Sequence, residues 1–388
     1  MKEIRKSLEI LDKWVENNGW EGYDPYDIKE TKLFLYFQKN RYTAFAADLI
    51  VSLFPNLSRK IFRVKKRVIP KAMALFARGY LILYKKLEDK KYLNKALYCL
   101  NWLVNNPSKG YSGFCWGYPF DWQSRIFIPK GTPCSVVTSI AAHAFLDAYE
   151  ILGDKKYLNI AESCCNFMIN DLNIDKVDND KICFSYTPID NFHVHNANMW
   201  VASVLARVYK YTKNEKFKEM CLKATNFTVS YQNEDGSWYY WAPPDKLAYR
   251  IDNYHTGFVL ECLNIIRREL GDEFKYEEEL RNGLKFYKEN LFLDDGTPKM
   301  TNKRIYPIDI HSCAQAIITF YELSDFEPKY LSMAEKVAKW TIKHMQDEKG
   351  YFYYRIYKYF VDKTPYIRWG QAWMLRALSS LFISSSLV

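Results

Sequence analysis

The chain has 388 residues, 48% hydrophobic and 26% charged, the balance of an ordinary globular protein, and it lacks the long apolar run that a bilayer span needs. Its nine Cys are scattered, with Cys164 and Cys165 adjacent and no CxxC pair; this excludes a disulfide framework and leads us to expect reduced thiols in a cytoplasmic protein. A formal net charge of +10 fits either a lysine-rich solvated surface or an anionic partner.

The chain begins Met-Lys-Glu-Ile-Arg-Lys, which reads as the start of an amphipathic helix rather than an apolar targeting segment. From there two kinds of helix alternate. In chain order the predicted elements are 3–18, 70–86, 90–105, 134–151, 154–171, 196–212, 214–231, 255–270, 275–292, 311–324, 327–346 and 370–384. The members beginning at 3, 90, 154, 214, 275 and 327 set Lys and Glu against Leu, Tyr, Trp or Phe, the pattern of half-exposed helices. The intervening ones are richer in Ala, Ser, Val, Leu and Cys, as in Cys134-Ser-Val-Val-Thr-Ser-Ile-Ala-Ala, and read as buried. Starts of the buried set recur about every 56 to 64 residues. Six outer-plus-inner pairs close an (α/α)6 barrel, so the predicted fold is an all-α toroid of six helical hairpins, with residues 1–388 forming one domain.

The connections differ by direction. Inner-to-outer links are short, such as Gly153-Asp-Lys-Lys-Tyr157 and Lys213-Asn-Glu-Lys-Phe217. Outer-to-inner links run to roughly 20 residues or more, far beyond usual loop lengths, and the first is expected to hold its own helix around 42–54. Long loops gathered on one face are where binding normally sits. Several open on Gly and an aromatic: Gly19-Trp20, Gly113-Phe114, Gly236-Ser-Trp238 and Gly350-Tyr-Phe352. Packing explains that motif better than chemistry.

These features resemble the six-hairpin glycosidase and terpenoid-cyclase toroids over essentially the whole chain. Gln232-Asn-Glu-Asp-Gly-Ser-Trp238, preceded by Phe227, resembles the QW motif of squalene cyclases and prenyltransferases, with Gln346-Asp-Glu-Lys-Gly-Tyr-Phe352 a weaker copy. In that family the motif ties hairpins together. The catalytic DxDD of the cyclases is missing, which argues against terpenoid cyclisation. Gly19-Trp-Glu-Gly-Tyr-Asp24-Pro-Tyr-Asp27 and Trp116-Gly-Tyr-Pro-Phe-Asp121-Trp-Gln-Ser-Arg125 are similar to stretches of toroid proteins found with polysaccharide biosynthesis, and Arg368-Trp-Gly-Gln-Ala-Trp373 resembles a segment of unsaturated-uronyl hydrolases.

In such a barrel the residues just before each inner helix converge at one end. Four of the six His fall there or adjacent, namely His193, His195, His255 and His311. Asp252 and Asp309 precede two of them and serve equally well as helix caps or as catalysts. Asp24, Asp27 and Asp121 lie among aromatic residues, which would raise a carboxyl pKa and suit a general acid. The catalytic candidates are therefore Asp121, Asp24, Asp252, Asp27, Asp309 and His255. Aromatic faces stack on pyranose rings, so Trp20, Tyr23, Trp116, Tyr118, Trp122, Trp238, Trp369 and Trp373 are candidates for holding a sugar, joined by His195 and His311. Arg125, Arg250 and Arg368 would take an acidic sugar through bidentate pairing, or pair with the nearby Asp residues; Arg304 lies on the same side. His143 reads as a packed core histidine and His344 as a surface one.

No phosphate-binding loop, dinucleotide fingerprint or nucleophile elbow is present, and no cofactor is expected. Asp309, His311 and Cys313 do not share one helix face, so no metal site is expected. The leading expectation is a glycoside hydrolase-like enzyme acting on an oligo- or polysaccharide through paired carboxylates. One alternative is a uronate lyase or C5-epimerase in which His195, His255 or Tyr254 moves a proton beside a carboxylate bound by Arg250. The other is a non-catalytic toroid that binds a glycan or lipid-linked sugar. The basic run Arg59, Lys60, Arg63, Lys65, Lys66 and Arg67 would then rest on an anionic membrane surface. No nucleic acid partner is expected.

Overall fold

The computed structural model describes residues 2–37, 42–43, 47, 50–51, 54–242 and 250–384. Among them, twelve helices of 13 to 18 residues make two concentric layers. The outer layer is α1 (Lys2–Asn17), α3 (Lys90–Asn105), α5 (Lys155–Asn170), α7 (Glu215–Val229), α9 (Glu277–Asn290) and α11 (Tyr330–Met345). The inner layer is α2 (Pro70–Leu87), α4 (Ser135–Leu152), α6 (His195–Thr212), α8 (Asn253–Leu270), α10 (Ile310–Glu322) and α12 (Ala372–Ser384). Each inner helix packs on the next, and α12 packs on α2, so the ring closes as the alternation predicts. Inner helices are buried nearly all round, as with Val136 to Leu146 of α4, whereas outer ones bury one stripe, as with Ile4, Leu8, Leu11 and Val15 of α1. That difference is the composition contrast read above.

The short links share one construction. Glu88, Gly153 and Lys213 adopt left-handed backbone with φ of 54°, 72° and 55°, ending α2, α4 and α6. The following Asp89, Asp154 and Asn214 each accept a hydrogen bond from a backbone N–H two residues on, at 2.9, 3.0 and 3.1 Å. A left-handed stop followed directly by a polar cap reverses the chain in two residues.

The Gln-to-aromatic motif ties neighbouring hairpins. Gln232 Nε2 donates to the Gly236 carbonyl and to Glu279 O on α9, both at 2.9 Å. Gln346 Nε2 does the same to Gly350 O at 3.0 Å and to Ser7 O on α1 at 3.1 Å, which joins the last hairpin to the first. Gly350 has φ +101°, and a Cβ there would lie 2.4 Å from the Ile10 carbonyl oxygen, so only glycine permits the approach.

Among the described residues, the long loops carry seven two- or three-residue strands in three small antiparallel sheets. One joins Ile308–Asp309 to Arg355–Ile356 and brings the loop before α12 against the start of α10. The helix expected at 42–54 falls largely outside the described residues; within the first long loop, short helices cover Lys32–Phe37 and Pro55–Ile61. Among the described residues, no helix is long and apolar enough to cross a membrane.

Candidate active site

The N-termini of the inner helices converge under the long loops, and most of the acidic candidates meet there as anchors. Asp252 caps α8: Oδ1 accepts from the His255 backbone N–H at 3.1 Å, while Oδ2 accepts from His255 Nδ1 and Arg250 Nε, both at 2.8 Å. Burial works against the Asp252 charge, but His255 and Arg250 hold its pKa below the ordinary value. Asp309 caps α10 in the same way, taking the His311 N–H at 2.9 Å, Arg355 Nε at 2.7 Å and Trp369 Nε1 at 2.8 Å.

Asp24 and Asp27 belong to the wall. Asp24 is held by Arg368 through Nε at 2.5 Å and Nη2 at 2.8 Å, and by the Tyr26 N–H at 3.1 Å. Arg59 reaches Asp27 from below at 2.8 and 3.4 Å. Burial pushes the Asp27 carboxyl up to about 6 against the pull of Arg59, yet its oxygens face a guanidinium and the Asp24 N–H. The aromatic surroundings foreseen in the sequence are present; the arginines that neutralise these acids come from 32 and 344 residues away, beyond what local sequence shows. Asp121 stands differently. It is half-buried at the loop edge and takes the Lys130 N–H at 2.7 Å.

The floor between these anchors is histidine and aromatic. The His255 ring lies 4.3 Å from the Tyr240 ring and 4.2 Å from that of Tyr254, with its side chain 17% exposed. Because Nδ1 points at a carboxylate, it carries the hydrogen and leaves Nε2 as the acceptor. Burial lowers the His255 pKa more than Asp252 raises it, so the ring is neutral at pH 7. His311 is buried among Tyr254, Trp369 and Trp373 at 4.6 to 5.0 Å. Neither of its ring nitrogens finds a hydrogen-bond partner, and burial, then Lys71 and Arg368, keep it neutral.

Around this floor Tyr26, Tyr118, Trp122, Tyr186, Tyr240 and Tyr354 are half-buried and form a shallow saucer. Trp122 bridges three of them, 6.1 Å from Tyr26, 5.9 Å from Tyr118 and 5.7 Å from Tyr186. Arg250 and Arg355 flank it, lying over the Tyr240 and Tyr354 rings at 5.3 and 4.4 Å. Among the described residues, two small cavities between these rings hold about 10 Å³ each.

Other candidates sit elsewhere. Trp116 and Trp238 are buried in the wall, their Nε1 donating to Leu103 O and Thr228 O at 3.0 Å. Trp373 is buried beneath His311, and Trp20 packs on Tyr98 of α3, 4.7 Å away. Tyr23 faces Arg59. His195 is buried against Phe227 and Tyr231, and burial takes its pKa down to about 3. Arg125 is exposed, over the Trp241 ring at 4.2 Å. Arg304 lies in an exposed turn. His143 is a core residue bonded to Ser203 at 3.0 Å, and His344 sits near the end of α11. Asp309 is occupied by Arg355 and Trp369, Cys313 is buried beside Met345, and no metal-binding group of three side chains occurs among the described residues.

Lys71 escaped the sequence reading. It follows Pro70 at the start of α2 and is 4% exposed, with Nζ 5.4 Å from the Trp373 ring and 5.7 Å from that of Phe258. Burial, then Arg368, bring its pKa down to about 7. An ionisable residue alone in the apolar run Ile69-Pro-Lys-Ala-Met-Ala was the available clue. Arg355 and Tyr26 were also missed; the strand pairing that delivers Arg355 has no local signature.

No protein-family model matches the chain, and no curated protein matches it in sequence. Solved structures do match in fold. A sugar epimerase from a ruminal bacterium is 15% identical with a TM-score of 0.64, over 82% of this chain and 87% of that one. The cellobiose 2-epimerase of Bacillus thermoamylovorans is 13% identical with a TM-score of 0.65, over 82% and 88%. A glycosyl hydrolase of family 88 from Bacteroides vulgatus is 15% identical with a TM-score of 0.59, over 81% and 93%. At this identity the likeness is one of fold, an (α/α)6 toroid.

Proposed function

We propose that the protein converts a saccharide by moving a proton at a carbon next to a carbonyl or carboxylate, with His255 as the base. The observation that carries this reading is the Asp252–His255 pair on the floor of the aromatic saucer. A neutral imidazole oriented by a buried carboxylate, partly open to solvent, is equipped to take a proton through Nε2. Arg250 and Arg355 flank the floor and would stabilise the oxyanion that forms when the C–H proton leaves. The surrounding rings offer flat apolar faces to a pyranose. Sugar epimerases among the structures of like fold are consistent with this chemistry.

Hydrolysis by two carboxylates has one observation in its favour. Asp121 has no arginine partner among the described residues and adjoins Trp122. A panel of aldoses, cello-oligosaccharides and uronates, followed by NMR of the products, separates the two. His255→Asn is expected to remove turnover while Asp121→Asn keeps it; the reverse pattern, with free reducing ends appearing, would reject proton transfer in favour of hydrolysis.

We further propose that the basic run meets an anionic lipid surface. Phe54, Leu57 and Ile61 are 54 to 60% exposed beside exposed Lys60, Arg63, Lys65 and Lys66, an apolar stripe with a cationic rim. Arg59 is excluded, being buried on Asp27. Flotation with phosphatidylserine vesicles is expected for the wild type and lost in Leu57→Glu/Ile61→Glu; equal flotation of both would remove the idea.

A further inference from the structure

A large cavity bounded by described residues lies at the other end of the barrel, where the inner helices finish. It measures about 590 Å³, within the range of small-molecule sites, and its lining is ionic: seven cationic side chains face five carboxylates. Each carboxylate already has a cation. Asp147 takes Arg78 at 2.7 Å and Arg207 at 2.9 Å, and Arg207 also holds Glu150 at 2.8 Å. Glu322 pairs with Arg268 and Glu269 with Lys210, both at 2.9 Å, and Glu261 pairs with Arg376.

The surplus is positive, and part of it is deep. Among the described residues, Arg376 is 1% exposed with Nε and Nη1 unpartnered, and Arg78 is 7% exposed with Nη1 unpartnered. The two guanidiniums repel, and Arg78 has a pKa lowered by burial and by Arg376. At the rim, Lys85 and Lys86 have no carboxylate partner among the described residues. Buried guanidinium N–H groups without an acceptor are costly, and an oxyanion satisfies several at once.

We propose that this well is a second ligand site, distinct from the mouth, and that it takes a small phosphorylated molecule. Phosphate oxygens would meet the free N–H groups of Arg78 and Arg376, and the remaining volume would hold an attached polar group. A carboxylate offers fewer acceptors for the same cations, which is why phosphate is favoured.

Calorimetric titration of the full chain with inorganic phosphate tests this, with a sugar monophosphate and a uronate as parallel arms. Saturable binding is expected for the first two, with the sugar monophosphate tighter than the uronate. Arg78→Gln is expected to weaken phosphate binding by about tenfold; Asp147 stays compensated there because Arg207 still pairs with it. Should that variant not fold, Lys85→Gln/Lys86→Gln at the rim decides, with a loss of about threefold expected. No saturable phosphate binding, an unchanged dissociation constant in the variant that folds, or tighter binding of the uronate would each overturn the proposal.

Discussion

The two ends of the barrel are built from the same six inner helices and could hardly differ more in chemistry. At the mouth each buried acid is used to fix a backbone or an arginine, and the groups left over are neutral: His255, His311 and the aromatic rings. At the far end Tyr321 is the one aromatic among the described lining residues, and the groups left over are guanidinium N–H donors and the rim ammoniums of Lys85 and Lys86. Helix direction accounts for much of this. Inner-helix N-termini carry partial positive charge and favour Asp caps, while their C-terminal halves favour Arg and Lys. The lesson is that a high density of charged residues does not locate chemistry; what matters is which groups remain after the pairs are subtracted.

The contrast can be broken most severely at His255. His255→Ala should lower turnover by about 100- to 10,000-fold and leave phosphate binding at the far end unchanged, which steady-state kinetics and calorimetry on one preparation will check. Loss of both would mean the ends are not independent. In the wild type, the acid limb of the rate profile should fall below the ordinary histidine pKa of 6.5, because burial lowers His255. Asp252→Asn removes the group that opposes that lowering, so the limb should move further down.

Gly350→Ala is a test of the ring closure that both ends share. The clash with Ile10 O and the left-handed backbone should together destabilise the fold by about 2 kcal/mol or more, read as a lower denaturant midpoint. An unchanged midpoint would mean that the last hairpin is not fastened to α1 there.

A stability effect that depends on pH concerns Lys71, buried below the mouth. Its folded pKa of about 7 lies below the unfolded value of 10.5, so the unfolded chain binds more protons between those limits and stability rises with pH across them. Lys71→Met should therefore be more stable than wild type at pH 7, and the difference should shrink towards pH 10.5. A difference independent of pH would show that Lys71 is charged and satisfied in the fold.

Much of this architecture was legible from pattern alone. All twelve helices fall within three residues of their predicted ends, because the apolar stripe and the buried run have different compositions and the capped turns recur. The Gln232 and Gln346 motifs correctly announced the ties between hairpins. The gathering of candidate residues at the inner-helix N-termini was legible, but the partners that hold each of them were not. Asp309 reads as cap or catalyst, and Asp24 as an acid among aromatic rings, until Arg355 and Arg368 pair with them, and Lys71 is one letter in an apolar run until the ring closes around it.

The central claim is that the mouth moves a proton on a sugar through His255. The direct measurement is incubation of the wild type and His255→Asn in deuterium oxide with a sugar the wild type converts, followed by NMR at the carbon beside the carbonyl or carboxylate. The account predicts deuterium at that carbon with the wild type and none with the variant. Conversion without deuterium, or equal incorporation by the variant, would contradict it.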